Sequence, residues 1–210
     1  MIALIDAGSG NLRSVARALV AAGVPEGALR VTRDPAVIVQ ASRVVFPGQG
    51  AFGDCVRALD AEGQALRQAL DESLARGVPY LGMCLGMQVL FERSDEAPGA
   101  QGLAYLQGDV VRLPEGRVDT RGCAVKIPHM GWNIARTESA HRALIGDDAW
   151  YYFVHSYVVR PSDPSVIAAR TEHGEDFVSA VARDHVFAVQ FHPEKSQRAG
   201  QQCLLRWLAV

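Results

Sequence analysis

The stretch Val78-Pro-Tyr-Leu-Gly-Met-Cys-Leu-Gly-Met-Gln88 constrains this chain more than any other. A short apolar run with strand character gives way, at one cysteine, to a run with helical character. A turn of that kind forces its central residue into a strained backbone conformation and leaves its side chain standing clear. Neighbours two positions away must then be small, and here they are Gly82 and Gly86. Cys84 also stands at the start of the expected helix Leu85–Phe91, where aligned peptide dipoles favour an anion and so a thiolate. The next backbone N–H, that of Leu85, points where an oxyanion would form.

Around this turn the chain alternates strand and helix. Ile2–Asp6 is an apolar strand, and Leu12, Val15, Ala16, Leu19 and Val20 repeat at helical spacing. Arg43–Phe46 and Val78–Met83 are further strands, with a helix from about Cys55 to Arg76 between them, ended by Gly77. That order predicts an α/β fold with a parallel central sheet flanked by helices. Beyond it, Trp150–Val154, Tyr157–Val159, Val166–Ala169, Phe177–Val181 and Val186–Gln190 are short and β-rich. They are expected as added antiparallel strands on the edge of the parallel core, before a last helix over Ser196–Leu208. No linker composition divides the 210 residues, which predicts a single domain over 1–210.

Composition narrows the function classes. Hydrophobic residues make up 49% and charged residues 21%, ordinary for a globular chain. A net charge of −2 argues against a nucleic-acid partner. The start carries no signal-peptide pattern, and no apolar run is long enough for a membrane span. The cysteines at 55, 84, 123 and 203 form no C-x-x-C pair, so neither a metal site nor another cofactor is expected. Free thiols fit a reducing cytoplasm. Cys55, Cys123 and Cys203 lack the flanking glycines and read as structural.

A thiolate nucleophile needs a histidine and a group to orient it. Of six histidines, His192 follows the apolar strand Val186–Phe191 and precedes Pro193 and Glu194. The strand end aims the imidazole out of the sheet, and Glu194 is near enough to hold its other nitrogen. His129, His141, His173 and His185 sit in polar or turn-like surroundings and read as exposed.

Gly82-Met-Cys-Leu-Gly-Met-Gln88 and Phe191-His-Pro-Glu194 together resemble the class I (triad) glutamine amidotransferases, which implies a flavodoxin-like three-layer sandwich. The segments Asp6–Leu12, Phe46–Phe52, Pro128–Asn133, Phe153–Tyr157 and His192–Ser196 resemble the glutaminase subunits of imidazole glycerol phosphate synthases. The resemblance covers nearly the whole chain. It implies L-glutamine as substrate, Cys84, His192 and Glu194 as the triad, and the N–H groups of Gln49 and Leu85 as the oxyanion hole. It implies Gly50, Gln88, Ser156 and Tyr157 as substrate-binding residues. In that family the glutaminase docks on a cyclase subunit, HisF, a (β/α)8 barrel that receives the ammonia for imidazole ring formation in histidine biosynthesis. Asn11, Met130, Trp132, Asn133, Tyr152 and Lys195 would then lie at the partner interface.

Two positions depart from the family pattern. Ala7 stands where a bulky residue is usual, and Gln49 where the turn usually reads Pro-Gly-Val-Gly. A backbone N–H survives the second change. Three other readings are weaker. Gly8-Ser9-Gly10 after a strand suggests a phosphate loop, but Arg13 breaks the G-x-G-x-x-G spacing. A subunit serving anthranilate, aminodeoxychorismate or pyridoxal synthesis would not account for Pro128–Asn133 or Lys195. A non-catalytic subunit predicts a damaged triad, and all three residues are present.

Overall fold

Runs such as Ile2-Ala-Leu-Ile5 are apolar at every position, so a strand made from them must be covered on both faces. The computed structural model, which describes residues 1–210 apart from Ser9 and Arg121, places them in that way. The glycine turn read at Gly8–Gly10 includes Ser9 and so falls partly outside the described residues. In chain order the first half reads β1 (Ile2–Ile5), α1 (Leu12–Ala21), β2 (Leu29–Thr32), α2 (Pro35–Val39), β3 (Arg43–Gly48), α3 (Phe52–Ala75), β4 (Tyr80–Cys84) and α4 (Leu85–Gln88). The second half reads β5 (Arg93–Ser94), β6 (Gly108–Arg112), β7 (His129–Thr137), α5 (Arg142–Ile145), β8 (Ala149–His155), β9 (Tyr157–Pro161), β10 (Ile167–Glu172), β11 (Asp176–Arg183), β12 (Val186–Val189) and α6 (Gln197–Ala209).

The sheet runs β2-β1-β3-β4-β12-β11-β10-β7-β8, parallel from β2 to β12 and antiparallel beyond. One face packs Ala3, Ile5 and Phe46 of the sheet with Leu59 and Leu70 of α3. The other packs Leu4, Val45 and Leu81 with Leu19 of α1 and Trp207 of α6. This is the three-layer α/β arrangement expected, with differences that matter. Val186–Val189 is not an antiparallel edge strand. It is the last strand of the parallel core, parallel to β4 in register Val189↔Met83 and antiparallel only to β11 on its other side. Its four residues are all buried, as a central strand requires. That pairing carries the end of β12 to the end of β4. β2 and α2 went unread because Leu29-Arg-Val-Thr32 is too short and polar to stand out. The long helix is interrupted at Ala61–Gln64, around Gly63, where three successive residues have positive φ. Leu85–Phe91 forms only one helical turn, Leu85–Gln88.

Glycine is required at the crossing of β3, β4 and α4. A Cβ on Gly86 would sit 1.8 Å from the carbonyl oxygen of Phe46, and one on Gly82 2.4 Å from that of Gly86. On Gly48 it would meet the Leu85 Cβ at 2.5 Å. The obstacles at Gly82 and Gly86 are backbone and cannot rotate away. Gly86→Ala is therefore expected to destabilise the fold by about 3 kcal/mol. Chemical denaturation reads this directly, and a midpoint equal to wild type would show that α4 can shift freely.

Candidate active site

Cys84 ends β4 with φ 53 and ψ −106, a conformation that side chains rarely tolerate. The strand-to-helix turn read from sequence is thus present, strain included. The parallel register Gly48↔Cys84 sets the turns after β3 and β4 side by side, which brings Gln49 and Leu85 together. Because α4 is a single turn, its dipole is small. Any activation of the sulfur would therefore fall mainly to side chains.

His192 and Glu194 come from the turn after β12. His192 Nδ1 lies 2.9 Å from Glu194 Oε1, with the side chains only 3% and 2% exposed. In so dry a setting the contact is worth far more than a surface ion pair. Backbone and a hydroxyl hold the turn rigidly. His192 N–H donates to the Tyr152 carbonyl at 2.9 Å, Tyr152 N–H donates to Ser196 Oγ at 2.9 Å, and Ser196 Oγ donates to the His192 carbonyl at 2.6 Å. Gly200 of α6 passes so near that a Cβ there would lie 1.9 Å from the Pro193 carbonyl oxygen. Burial pulls the imidazole pKa down, but Cys84 and Glu194, by hydrogen bonding and charge, reverse this and raise it to about 9. Nε2 makes no hydrogen bond of regular geometry. The Cys84 side chain is nonetheless among the groups that raise the imidazole.

A cavity of about 350 Å³ opens over Cys84. Gln49, Gly50, Leu85, Gln88, Ser156, Tyr157 and Lys195 line it, so the expected oxyanion and substrate residues converge there. Glu96, Pro128, Val154 and His155 line it too and were not read from sequence. Glu96 is its one carboxylate, and its Oε2 also accepts the Phe52 N–H at 2.7 Å, capping α3 from 44 residues away. Gln88 is buried rather than on a helix surface. Its Nε2 donates to the Tyr157 carbonyl at 3.1 Å and to Gln190 Oε1 at 3.2 Å. Both amide hydrogens are spent, so Gln88 can offer a ligand only its acceptor oxygen.

The expected interface residues divide. Register Met130↔Val154, Trp132↔Tyr152 and Ile134↔Trp150 puts one face of the β7–β8 pair outward. Met130 is 63% exposed, Trp132 43% and Trp150 56%, forming an unpartnered apolar strip. Ile134 and Trp150 belong to it although sequence reasoning missed them; two-residue alternation along β7 was the available signal. Lys195 joins strip and cavity, its Nζ 5.8 Å from the Tyr152 ring centre. Asn133 faces the opposite way. Its Nδ2 donates to the Glu172 carbonyl at 2.8 Å and lies 3.2 Å from His129 Nε2. Asn11 is exposed and caps α1, accepting the Ser14 N–H at 3.2 Å.

None of the four histidines expected on the surface is fully exposed. His141, His173 and His185 are half-buried, and His129, at the start of β7, is buried against Phe153, His155, His173 and Phe177. His155 Nδ1 lies 3.1 Å from the Tyr157 carbonyl, so it carries the proton and Nε2 accepts. His129 Nδ1, 3.1 Å from that Nε2, must donate, leaving its own Nε2 to accept from Asn133. Both rings are thereby satisfied only as neutral imidazoles. Burial, then neighbouring histidines, lowers His129 to about 3 and His155 well below the usual range. Cys55 and Cys203 are buried as expected of structural residues, whereas Cys123 is exposed.

A family model described as glutamine amidotransferase class-I matches residues 3–210. The chain is 47% identical to the imidazole glycerol phosphate synthase subunit HisH of Aromatoleum aromaticum, over 99% of this chain and 97% of that protein. It is 50% identical to the HisH of Thiobacillus denitrificans, over 95% and 86% respectively. Among solved structures, one described as a glutamine amidotransferase superposes with a TM-score of 0.75 at 19% identity over the whole of both chains. PurLQS of Thermotoga maritima gives 0.70 at 17% identity, over 99% of this chain and 97% of that one. These two show the shared fold. The chain belongs to the class-I glutamine amidotransferases and, within them, to the HisH subunits of imidazole glycerol phosphate synthase.

Proposed function

We propose that all 210 residues act as one glutaminase domain in which Cys84, His192 and Glu194 hydrolyse L-glutamine to glutamate and ammonia. The observation that carries this is the strained Cys84 at a cavity of about 350 Å³, with a buried His192–Glu194 pair whose imidazole is coupled to it. The Cys84 thiolate attacks the side-chain amide carbon. Negative charge on the carbonyl oxygen meets the N–H groups of Leu85 and Gln49. His192 gives its proton to the departing nitrogen, ammonia leaves, and a γ-glutamyl thioester remains. His192 then takes a proton from water as that water attacks the thioester, releasing glutamate and restoring the thiolate. Glu194 keeps the imidazole in one orientation throughout. Gly50, Gln88, Ser156 and Tyr157 bind the amino-acid end, and Glu96 offers a counter-charge for its ammonium group.

The ammonia is destined for a cyclase subunit, HisF, a (β/α)8 barrel docked on the outward face of β7 and β8. Its apolar strip supports this, since Met130, Trp132, Ile134 and Trp150 would gain from burial, and Lys195 links strip to cavity. A covered exit matters because ammonia protonated by water is no longer a nucleophile. The free cysteines accord with a cytoplasmic setting, and among the described residues no helix is long and apolar enough to cross a membrane.

Glutamate release, measured for the chain alone and with the cyclase, tests both parts. The cyclase is expected to stimulate hydrolysis by at least about 10-fold. Trp132→Asp should weaken that association by about 30-fold or more while leaving unassisted hydrolysis intact. Stimulation undiminished in that variant would place the docking face elsewhere. Stimulation by a different synthase, and none by this cyclase, would end the assignment of the partner.

A further inference from the structure

We propose that Gln190 is a further catalytic residue, whose side-chain N–H stabilises the Cys84 thiolate by hydrogen bonding to Sγ. This rests on the reading of Cys84 as nucleophile. Gln190 immediately follows β12 and is fully buried, with its Nε2 3.5 Å from Cys84 Sγ. Its orientation is determined by its neighbours. Gln88 Nε2, a donor only, lies 3.2 Å from Gln190 Oε1 and thereby turns the Gln190 nitrogen toward the sulfur. Gln88 cannot reverse, because its other amide hydrogen is given to the Tyr157 carbonyl at 3.1 Å. Among the described residues, Sγ is the one hydrogen-bond partner of the Gln190 nitrogen.

A donor aimed at a buried sulfur favours its anion, since a thiolate accepts hydrogen bonds far better than a thiol. The single turn of α4 leaves that stabilisation to side chains. His192 supplies the opposite charge, and Gln190 supplies a neutral donor that no protonation change removes. The donor also steers the sulfur. A thiolate held from the β12 side keeps its reactive lone pair toward the cavity, which Gln190 does not line.

Alkylation by iodoacetamide as a function of pH reads the thiolate without requiring glutamine turnover. A Cys123→Ser background removes the exposed thiol. Burial pushes Cys55 and Cys203 up to about 12, so near neutral pH the reaction reports Cys84. In Gln190→Met, the midpoint of alkylation is expected to rise by about one pH unit, with roughly 10-fold slower reaction below it. Glutamine kcat should fall alongside. Gln190→Leu provides a second donor-free side chain should Met pack poorly. An unmoved alkylation profile in a variant that melts cooperatively overturns the proposal, as does a drop in melting temperature with the profile unmoved. A wild-type chain that shows the Gln190-dependent profile yet hydrolyses no glutamine even with the cyclase would overturn the glutaminase reading and leave the thiolate donor standing.

Discussion

Replacing Cys84 by glycine is expected to abolish glutamine hydrolysis and to make the protein more stable. Loss of the nucleophile should reduce turnover by at least about 10⁴-fold, leaving only binding and oxyanion stabilisation. The stability gain follows from the backbone. At φ 53 and ψ −106 a Cβ is badly placed, whereas glycine accepts the conformation readily. Such strain costs roughly 1–3 kcal/mol. Greater freedom of glycine in the unfolded chain takes back roughly 0.5–1 kcal/mol. The net gain is about 1 kcal/mol, or roughly 2–4 °C in Tm for a chain of this size. Cys84→Ala is the comparator, since it removes the sulfur but keeps the Cβ and should not share the gain. Calorimetry on both variants separates the effects. A lower Tm for the glycine variant would mean that the sulfur's contacts with Gln190 and His192 outweigh the strain.

Acid should destabilise the fold steeply below about pH 6.5, well above the range where carboxylates protonate. His129 and His155 are neutral when folded and free to protonate when unfolded. A histidine with a lowered folded pKa contributes stability that is complete above its unfolded value near 6.5 and lost as pH falls below it. At pH 5 each is expected to cost about 2 kcal/mol, and the pair about 4 kcal/mol. His173 stacks on His129 with ring centres 4.0 Å apart and, after burial, is what holds His129 down. His192 behaves oppositely. Raised to about 9, it contributes fully below about pH 6.5, and its contribution is lost as pH rises through 9. Denaturation midpoints across pH 4.5–9.5 should therefore peak near neutrality. Replacing His155 with a neutral residue should flatten the acid side alone. An acid limb equally steep in that variant would assign the loss to carboxylates instead.

Both effects arise from positions that differ in how far sequence reveals them. Cys84, with Gly82 and Gly86 at fixed spacing, was legible because the constraint is local. A strand-to-helix turn with an outward side chain needs small neighbours whatever surrounds it. The helical flanks of the sheet were legible for a similar reason, since α1 and α6 carry their apolar stripes at regular intervals. His192 and Glu194 could be nominated from the strand end they follow, but sequence alone assigned that strand to an antiparallel edge. Residues of a fully buried parallel strand and a buried antiparallel one look alike. Only the pairing of β12 with β4 sets His192 beside Cys84. His129 read as exposed because its neighbours in the chain are polar or turn-like, while aromatic rings of β8 and β11 and the His173 ring bury it. Glu96 capping a helix 44 residues away and Gln190 donating to a sulfur 106 residues away have no local signature at all. Sequence by itself determined the reactive turn and the layered α/β class, both set by short-range sterics and periodicity. Tertiary structure decided which histidines are dry, which way Asn133 faces, and what holds the sulfur, because burial and hydrogen-bond partnership depend on strands that meet only in the folded chain.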